Sequence, residues 1–388
     1  MLCRYNPFSS NLGIERFVSR LSIQLASTAH QCEIFCGGPR DRVTFVNNVA
    51  LHEVGVADLP FLGTFQFNRK LASELTRPKK RGGLIVVNCH GSGPASAYTR
   101  LNRIGRSDMF LVYHAHDCVA AEMRDIRANK FRIDPHFLLM GKLLSKYEKA
   151  AVLGSDKVVA VSNATKKALI SFYKVEEEKI DVIGLGIPDD YPVGIETVDP
   201  AVPCFLTFGA GNRRDIASFL EAMRILRELH GLNAAAIIVR DYDKYHRTLA
   251  RQLRLQAMFM DELTEVQLKQ VYGSCTSLVI HSLREGFCLP VIEAAAFGKP
   301  TIATSVGSLP ELIEHERTGL LLDDLEPSTL ANSMYKLATD LKTRQWLGRN
   351  ARDKARDFTI SSVAQRFLQL CQRLGDYDKR KERAGSMR

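Results

Sequence analysis

Short apolar stretches alternate with longer amphipathic stretches along most of the chain. The short stretches have the length of buried strands, and the longer ones repeat apolar residues at helical spacing. In the helix predicted over 14–29, the apolar face consists of Phe17, Val18, Leu21 and Leu25. This alternation predicts an α/β protein whose parallel sheets are joined by right-handed crossovers.

The same pattern predicts a set of elements in each half of the chain. Strands are predicted in the first half at 1–5, 32–36, 84–89, 110–114, 157–161 and 180–183. A second helix of this half is predicted to end at Tyr173, with capping side chains in 162–165. The second half gives predicted strands at 204–208, 235–239, 277–280 and 301–303, and helices at 216–229, 264–272, 329–340 and 361–374.

The stretch 186–203 interrupts the alternation. It is rich in Pro, Gly and Asp and has little periodicity, which is typical of a linker. A chain of 388 residues is also too long for one ordinary core. We therefore predict one domain over 1–190, a second over 191–358, and a separate segment over 359–388.

The chain is basic, with a formal net charge of +10 and a sequence pI near 9.1. Such a charge favours anionic partners such as nucleotide phosphates or phospholipid headgroups, and no motif for nucleic acid accompanies it. The basic residues are clustered along the chain, and two explanations are open. They form a solvated face, or they dock on an anionic membrane, where each basic residue contributes about 1 kcal/mol. The clustered residues are Arg69, Lys70, Arg77, Lys79, Lys80, Arg81, Arg100, Arg103, Arg106, Lys379, Arg380, Lys381 and Arg383.

Nine cysteines are scattered without the paired spacing of a zinc site or a disulfide framework. They are interpreted as reduced core residues of a cytosolic protein. The sequence shows no basic-then-apolar leader and no apolar run of roughly 18 residues. We expect a cytoplasmic protein. Its basic charge also favours peripheral contact with the inner membrane face.

Two acids flank a strand-to-helix turn in the second half. Glu285 follows the strand predicted at 277–280, and Glu293 lies one turn into a helix that begins near Pro290. In open α/β sheets, the carboxyl ends of strands face the ligand crevice. Carboxylates there suit sugar hydroxyls better than phosphate. The alternative is a pair of solvated acids favoured by the helix macrodipole.

The stretch 282–300, which contains both acids with Gly286, Pro290 and Gly298, resembles the nucleotide-sugar motif of the retaining glycosyltransferases of family four, also called glycosyl transferases group 1. Residues 300–322 resemble the sequence that follows that motif in the family. The resemblance implies a GT-B fold of two facing Rossmann-like domains, with the last helix returning to the first domain. It also implies transfer of a hexose-type sugar from a nucleoside diphosphate sugar to a saccharide or lipid-linked hydroxyl, with retention and without metal or other cofactor.

The resemblance carries roles onto particular residues. Glu285 would bind hydroxyls of the donor sugar, Glu293 would hold the ribose, and Arg213 with Arg214 would neutralise the leaving diphosphate. Arg214 stands where the family usually has a lysine, and the two side chains differ in donor geometry. The remaining donor-binding residues are Gly13, Gly209, Gly286, Phe287, Cys288 and Leu289.

Gly13 follows the first predicted strand and opens a helix, so its N–H group could face a phosphate. The family usually has two glycines here, and Leu12 replaces one of them. A structural strand-to-helix turn remains the alternative for Gly13.

His114 and His116 end the strand predicted at 110–114 and share one face. By resemblance, His116 meets the transferred sugar, and His114 supports it or packs. Zinc needs three or four protein ligands, whereas the third candidate, His90, ends a different strand and no fourth is evident. We therefore predict no metal site.

Several positions depart from the family pattern. They are Leu12, Leu185 for a frequent asparagine, Arg214 for lysine, Arg240 for glycine, and His281-Ser282 for Pro-Ser. These departures keep a non-catalytic GT-B binding module open as an alternative, beside a nucleotide-sugar epimerase of the same fold. A nicotinamide oxidoreductase is disfavoured because the glycine fingerprints at 209–211 and 91–93 are incomplete.

Overall fold

A computed structural model describes residues 1–3, 5–8, 13–28, 30–56, 60–76, 84–91, 109–128, 135–192, 200–209 and 213–385. The chain separates into two compact units. One consists of Met1–Met123, Asp134–Pro188 and Ile360–Arg388, and the other of Arg124–Ile133 and Asp189–Thr359.

The first half of the chain forms two sheets and the helices around them. The sheet orders are β2-β3-β1 and β4-β5-β6-β7, and every pairing is parallel except that of β2 with β3. The strands are β1 (Glu33–Gly38), β2 (Arg42–Val46), β3 (Val49–Gly55), β4 (Ile85–His90), β5 (Met109–Ala115), β6 (Lys157–Ala160) and β7 (Ile180–Val182). The helices are α1 (Gly13–Ser27), α2 (Pro60–Thr76), α3 (Val119–Ala128), α4 (Pro135–Gly154) and α5 (Asn163–Tyr173), and a short 3-10 helix spans Glu177–Lys179.

The N-terminal segment lies between the two sheets. Leu2 forms parallel bridges to Phe35 of β1 and Cys89 of β4, with its N–H donating to Asn88 O at 2.8 Å and its carbonyl accepting from His90 N at 2.9 Å. These bonds join the two sheets edge to edge. Among the described residues of the strand predicted at 1–5, the pairing consists of isolated bridges at Leu2, so the prediction of a regular strand is wrong there.

The second half forms one parallel sheet of order β10-β9-β8-β11-β12-β13. Its strands are β8 (Cys204–Phe208), β9 (Ala235–Val239), β10 (Gln256–Met260), β11 (Ser277–Ile280), β12 (Thr301–Thr304) and β13 (Gly319–Leu322). The helices are α6 (Ile216–Glu228), α7 (Lys244–Gln252), α8 (Glu265–Ser274), α9 (Leu289–Ala296), α10 (Leu309–Leu312), α11 (Pro327–Thr339) and α12 (Leu341–Ala355), followed by a 3-10 turn at Arg356–Phe358.

The core of this unit forms where the apolar faces of α6 and α11 cover the sheet. Phe205, Phe219, Ile238 and Val279 are fully buried there. The four residues of β11 are all buried, as a continuous apolar run predicts for a central parallel strand.

The last helix, α13 (Ile360–Gly385), belongs to the first unit and packs against α1. Its first backbone N–H donates to Ile187 O at 2.8 Å, and the Arg373 guanidinium donates to Asp181 Oδ1 at 2.6 Å. The first unit thus consists of three segments of the chain, and α13 supplies the last of them.

Periodicity predicted the central elements well. The strands at 204–208, 235–239 and 277–280 are confirmed with the predicted bounds. Ser162 caps α5 by accepting from Thr165 N, as predicted from its position. The pattern missed β2, β3, β10 and β13, all three described helices between 60 and 154, and α7, α10 and α12.

All nine cysteines are free, eight of them buried and Cys371 half-buried, which agrees with reduced core residues. Within the described residues, no helix is both long enough and apolar enough to span a membrane. Most of the predicted basic cluster, from Arg77 to Arg106, lies outside the described residues, as do the side chains of the basic tail.

Candidate functional site

Glu285 is the centre of a buried ionic cluster in the second unit. The carboxylate is 1% exposed and its Oε1 accepts from Arg214 Nε at 3.0 Å and from Ser282 Oγ at 2.9 Å. Arg213 Nη2 lies 3.7 Å from the other oxygen, Oε2, which accepts no hydrogen bond from the residues described. The structure therefore brings together three predicted site residues and adds Ser282, which sequence analysis noted only as a departure.

The pKa of Glu285 reflects two opposed effects. Burial alone would raise it, but the guanidinium groups of Arg214 and Arg213, with the hydrogen bonds from Arg214 and Ser282, lower the pKa below its ordinary value. Glu285 is therefore ionised at neutral pH. An ionised carboxylate can accept hydrogen bonds and cannot donate one.

The backbone fixes this cluster from two sides. Arg214 and Ser282 form an antiparallel bridge, and Leu283 N donates to Arg213 O at 2.8 Å. On the other side, a Cβ added to Gly307, whose φ is +55°, would lie 2.1 Å from Glu285 O. Only glycine allows this approach, so the loop after β12 holds the loop of Glu285 in place.

Arg214 is 9% exposed and links the cluster to the start of α9. Its Nη1 donates to Phe208 O at 3.1 Å, at the end of β8, and its Nη2 lies 3.7 Å from Cys288 Sγ. Cys288 is the residue before α9, and burial raises its pKa to about 12, so the thiol stays protonated. The arginine that replaces the family's usual lysine thus makes contacts a lysine cannot reproduce.

Gly209 allows two strand ends to approach closely. A Cβ there would lie 2.4 Å from the Cβ of Asp241. The Asp241 side chain, 3% exposed at its carboxylate, contacts His246 Nδ1 at 2.8 Å. Sequence analysis missed Asp241, although its place after β9, at the same sheet edge as Gly209, is a usable signal.

Glu293 is 1% exposed within α9, and its Oε2 accepts from Tyr272 OH at 2.9 Å. Of the other predicted donor-binding residues, Gly286 and Leu289 are buried, and Phe287 is half-buried with its ring 6.1 Å from that of Phe358. The residues from Gly286 to Glu293 all lie on the turn and helix that follow β11. The helix begins at Leu289, with Pro290 in its first turn as predicted.

The first unit carries a histidine cluster at the ends of β4 and β5. His90 pairs with His114 in the strand register, and the rings of His114 and His116 stack with centroids 5.0 Å apart. The Nδ1 of His90 lies 3.1 Å from the Nε2 of His116. His90 lies on another strand end, as predicted, and that strand, β4, is the neighbour of β5 in the sheet, which brings the three rings together.

His90 and His114 are buried, His116 is half-buried, and the pKa of each ring is lowered. Burial lowers the pKa of His116 to about 3 and, with the neighbouring rings, places the pKa values of His90 and His114 well below the ordinary value. His90 Nε2, His116 Nδ1 and both ring nitrogens of His114 have no hydrogen-bond partner among the described residues. A buried polar atom without a partner costs about 1–3 kcal/mol.

A buried carboxylate holds the segment that follows His116. Glu148 of α4 accepts from Tyr113 OH at 3.0 Å, Tyr173 OH at 2.6 Å and the backbone N–H of Val119 at 2.7 Å. Burial, chiefly, raises the pKa of Glu148 to about 7, although these three donors oppose the rise. Sequence analysis missed this clamp because α4 was not predicted.

The remaining predicted positions fall as follows. Gly13 is the first residue of α1, whereas Leu12 lies outside the described residues. Arg240 has a φ of +57°, the left-handed conformation that favours the glycine usual in the family. Leu185 is a buried core side chain, 4% exposed.

Two family models match the chain. Residues 12–191 match the family described as Glycosyltransferase Family 4, and residues 205–354 match the family described as Glycosyl transferases group 1. The two matches lie side by side along the chain and concern the same class of protein.

Individual relatives agree with these matches. An uncharacterized glycosyltransferase of Methanocaldococcus jannaschii is 24% identical over 63% of this chain and 70% of its own length. The D-inositol 3-phosphate glycosyltransferase of Corynebacterium diphtheriae is 32% identical over 40% of this chain, which is 36% of that protein.

Solved structures share the fold across almost the whole chain. Sucrose-phosphate synthase from Thermosynechococcus elongatus aligns with a TM-score of 0.82 at 18% identity, covering 97% of this chain and 98% of that one. The Anabaena protein HepE, crystallised with UDP-glucose, aligns with a TM-score of 0.73 at 17% identity, covering 96% and 98%.

The fold and the family matches define a protein of the GT-B glycosyltransferase class with two Rossmann-like domains. Within that class, the chain belongs to the glycosyltransferases of family four, group 1.

Proposed function

We propose that this protein is a retaining glycosyltransferase. It moves a hexose-type sugar from a nucleoside diphosphate sugar to a hydroxyl of a saccharide or a lipid-linked acceptor. The observation that carries the proposal is the buried, ionised Glu285, whose Oε2 has no hydrogen-bond donor among the described residues while two arginines stand beside it. An oxygen of this kind suits a sugar hydroxyl, which donates a hydrogen bond.

Donor binding follows from charge and geometry. Glu285 accepts from hydroxyls of the donor sugar, and Glu293 of α9 holds the ribose. Arg213, 29% exposed at its side chain, attracts the diphosphate, while the more deeply buried Arg214 fixes Glu285. Gly209 and the segment from Gly286 to Leu289 complete the donor site of the second unit with backbone groups and close packing, and Gly13 of the first unit stays a predicted donor-binding residue.

During transfer, the bond between the anomeric carbon and the diphosphate oxygen breaks, and the acceptor oxygen bonds to the same face of the sugar. The acceptor proton passes to the departing phosphate oxygen, so the products are the glycoside and a nucleoside diphosphate. Fixed positive charge near the diphosphate stabilises the negative charge that grows there and lowers the barrier. No step requires a metal.

His116 contributes as a neutral ring. Because its pKa is about 3, it carries no positive charge at neutral pH and cannot serve as a general acid there. We assign it to orienting the transferred sugar by hydrogen bonding.

The test is donor hydrolysis without an acceptor, measured on the full chain with uridine, guanosine and adenosine diphosphate sugars. We expect release of nucleoside diphosphate from one donor class, with an unmodified sugar. Release of an altered sugar would favour an epimerase. If calorimetry detects no binding of any donor, a non-catalytic GT-B module becomes the better assignment.

The basic charge of the chain supports a proposal about where in the cell the reaction takes place. We propose that the protein works in the cytoplasm at the inner membrane face, which suits a lipid-linked acceptor. Co-sedimentation with vesicles containing anionic phospholipid tests this, and binding should weaken as salt screens the attraction. Equal binding to neutral vesicles would contradict it.

A further inference from the structure

The histidine cluster of the first unit has more nitrogen atoms than hydrogen-bond partners. His90, His114 and His116 each offer one ligand nitrogen, and these three atoms lie within 4.8 Å of one another. Of the six ring nitrogens, four have no hydrogen-bond partner in the described part of the chain. The other two, His90 Nδ1 and His116 Nε2, contact each other. Because buried polar atoms are usually satisfied, the cluster as a whole has spare capacity for a ligand.

The arrangement suits a metal ion better than an organic ligand. Two zinc–nitrogen bonds of about 2.0–2.1 Å in tetrahedral geometry separate their nitrogens by roughly 3.3 Å. The Nδ1 of His90 and the Nε2 of His116 are already 3.1 Å apart. The third ring, His114, stacks on both of the others, at centroid distances of 4.7 and 5.0 Å, and its ligand nitrogen lies within 4.8 Å of theirs.

The surroundings limit what can enter. The Phe17 ring packs edge-on against all three imidazoles, with centroids 5.4 to 6.0 Å away. His114 is fully buried and His90 is 3% exposed, whereas His116 is half-buried. An ion would therefore approach from the side of His116, the least buried of the three.

We propose that His90, His114 and His116 bind a single transition-metal ion such as Zn²⁺, with water as the fourth ligand. Three histidines with one open position are an ordinary zinc ligand set. This proposal departs from the sequence-based expectation of no metal site, which noted that His90 ends a different strand and that no fourth protein ligand is evident.

The metal would act as an inhibitor of sugar transfer, a consequence that rests on the proposed function. A nitrogen of His116 that coordinates a metal cannot hydrogen-bond to the sugar. Transfer itself needs no metal, so the ion competes with the donor for one side chain.

The binding test uses the full chain after dialysis against a chelator. Titration with Co²⁺ followed by visible absorption, and with Zn²⁺ followed by calorimetry, should each show one ion per chain. The variant His90→Gln should weaken binding by more than about tenfold, since loss of a mere supporting contact already costs about 10–100-fold. The matched control is His52→Gln, because His52 belongs to the same unit but contacts Glu33 at 3.3 Å instead.

X-ray absorption of the zinc-loaded, unmutated protein gives a readout that needs no variant. Three imidazole ligands are expected. The absence of stoichiometric binding, fewer than three imidazoles, or equal affinity in His90→Gln and the unmutated chain would each overturn the proposal, leaving ordered water as the partner of these rings.

Activity then separates the two proposals. Zn²⁺ should slow donor hydrolysis and a chelator should restore it, and in His90→Gln the inhibited fraction should shrink relative to that variant's own metal-free rate. If neither protein hydrolyses any donor, the proposed function fails while the metal titration still stands. If Zn²⁺ binds stoichiometrically without slowing hydrolysis, the inhibitory role is wrong.

Discussion

Glu148 of the first unit and Glu285 of the second are both buried carboxylates with several hydrogen-bond donors, yet their pKa values move in opposite directions. The donors of Glu148 are two tyrosine hydroxyls and a backbone N–H, and its pKa rises to about 7. Glu285 has Arg214 and Arg213 beside it, and its pKa falls. Neutral donors only reduce the rise in pKa that burial causes. A neighbouring cation outweighs that rise and lowers the pKa below its ordinary value.

This difference separates a structural acid from one suited to binding. Glu148 uses both carboxylate oxygens on the protein itself. Glu285 keeps its charge and leaves Oε2 without a hydrogen bond from the described residues. Burial alone therefore does not identify a functional acid, but the charge and the contacts around it do.

The largest expected effect comes from Glu285→Ala, which removes the ionised acid and leaves two arginines without their partner. We expect donor hydrolysis to fall by roughly 10³-fold, because one fixed electrostatic contact is commonly worth 10²–10³ and the arginines also lose their orientation. The control is Glu314→Gln, an acid of the same unit that pairs with Lys354 at 2.9 Å. More than about a tenth of the normal rate in Glu285→Ala would contradict the role assigned to it.

The second-largest effect is expected from removing the arginine of the Arg214–Glu285 ion pair. Arg214→Met leaves Glu285 buried with only the more distant Arg213, and breaking a buried pair costs about 3–5 kcal/mol of unfolding free energy. Urea denaturation followed by circular dichroism measures this loss. Adding Glu285→Gln should recover part of it, because the remaining carboxylate no longer carries a charge. A double variant no more stable than Arg214→Met would show that Arg214 acts through packing alone.

The third effect is a pH dependence at Glu148. Because its pKa is about 7 when folded and 4.5 in the reference state, folding favours the protonated acid. The contribution of Glu148 to stability should therefore be greatest below about pH 4.5 and fall, by of the order of 3 kcal/mol, as the pH rises towards 7. The stability of Glu148→Gln should lose this dependence. Denaturation curves at several pH values test it, and a slope that survives in the variant would assign it to other groups.

The smallest effect is expected from removing the hydrogen bond that Ser282 donates to Glu285. Ser282→Ala removes the donor 2.9 Å from Glu285 Oε1 and should cost about 1 kcal/mol, since Arg214 still holds the same oxygen. Ser274→Ala, which removes an exposed hydroxyl bonded to Gln270 O at 2.9 Å, is the matched control. An equal change in the two melting temperatures would mean that the buried hydroxyl contributes nothing specific.

The second unit could be predicted from sequence because its strands are continuous apolar runs and its site follows their ends. Glu285 and Arg213 come after β11 and β8, which are neighbours in the sheet, so a motif at one strand end implies a partner at the other. The three strands confirmed with unchanged bounds, 204–208, 235–239 and 277–280, all lie in this unit, whereas the strands confirmed in the first unit have ends shifted by one or two residues.

The first unit was harder for physical reasons. The edge strand β2 exposes Val43 and Phe45, so its pattern differs from that of a buried strand, and the turn that follows uses Asn47 and Asn48 at φ of +47° and +63°. The partners of Glu148 lie 25 and 35 residues away along the chain, on elements that periodicity alone did not relate. The meeting of His90 with His116 depends on which strands are neighbours, which no local pattern encodes.

The return of α13 to the first unit determines how the protein can be divided. A fragment that stops at Pro188 would lack the helix that covers α1, and it would lose the Ile187–Ile360 backbone bond and the Asp181–Arg373 ion pair. Joining residue 188 to residue 360 through a short flexible linker would restore both in one continuous polypeptide. Such a single-unit protein would permit NMR titration of the histidine rings without the arginines of the other unit.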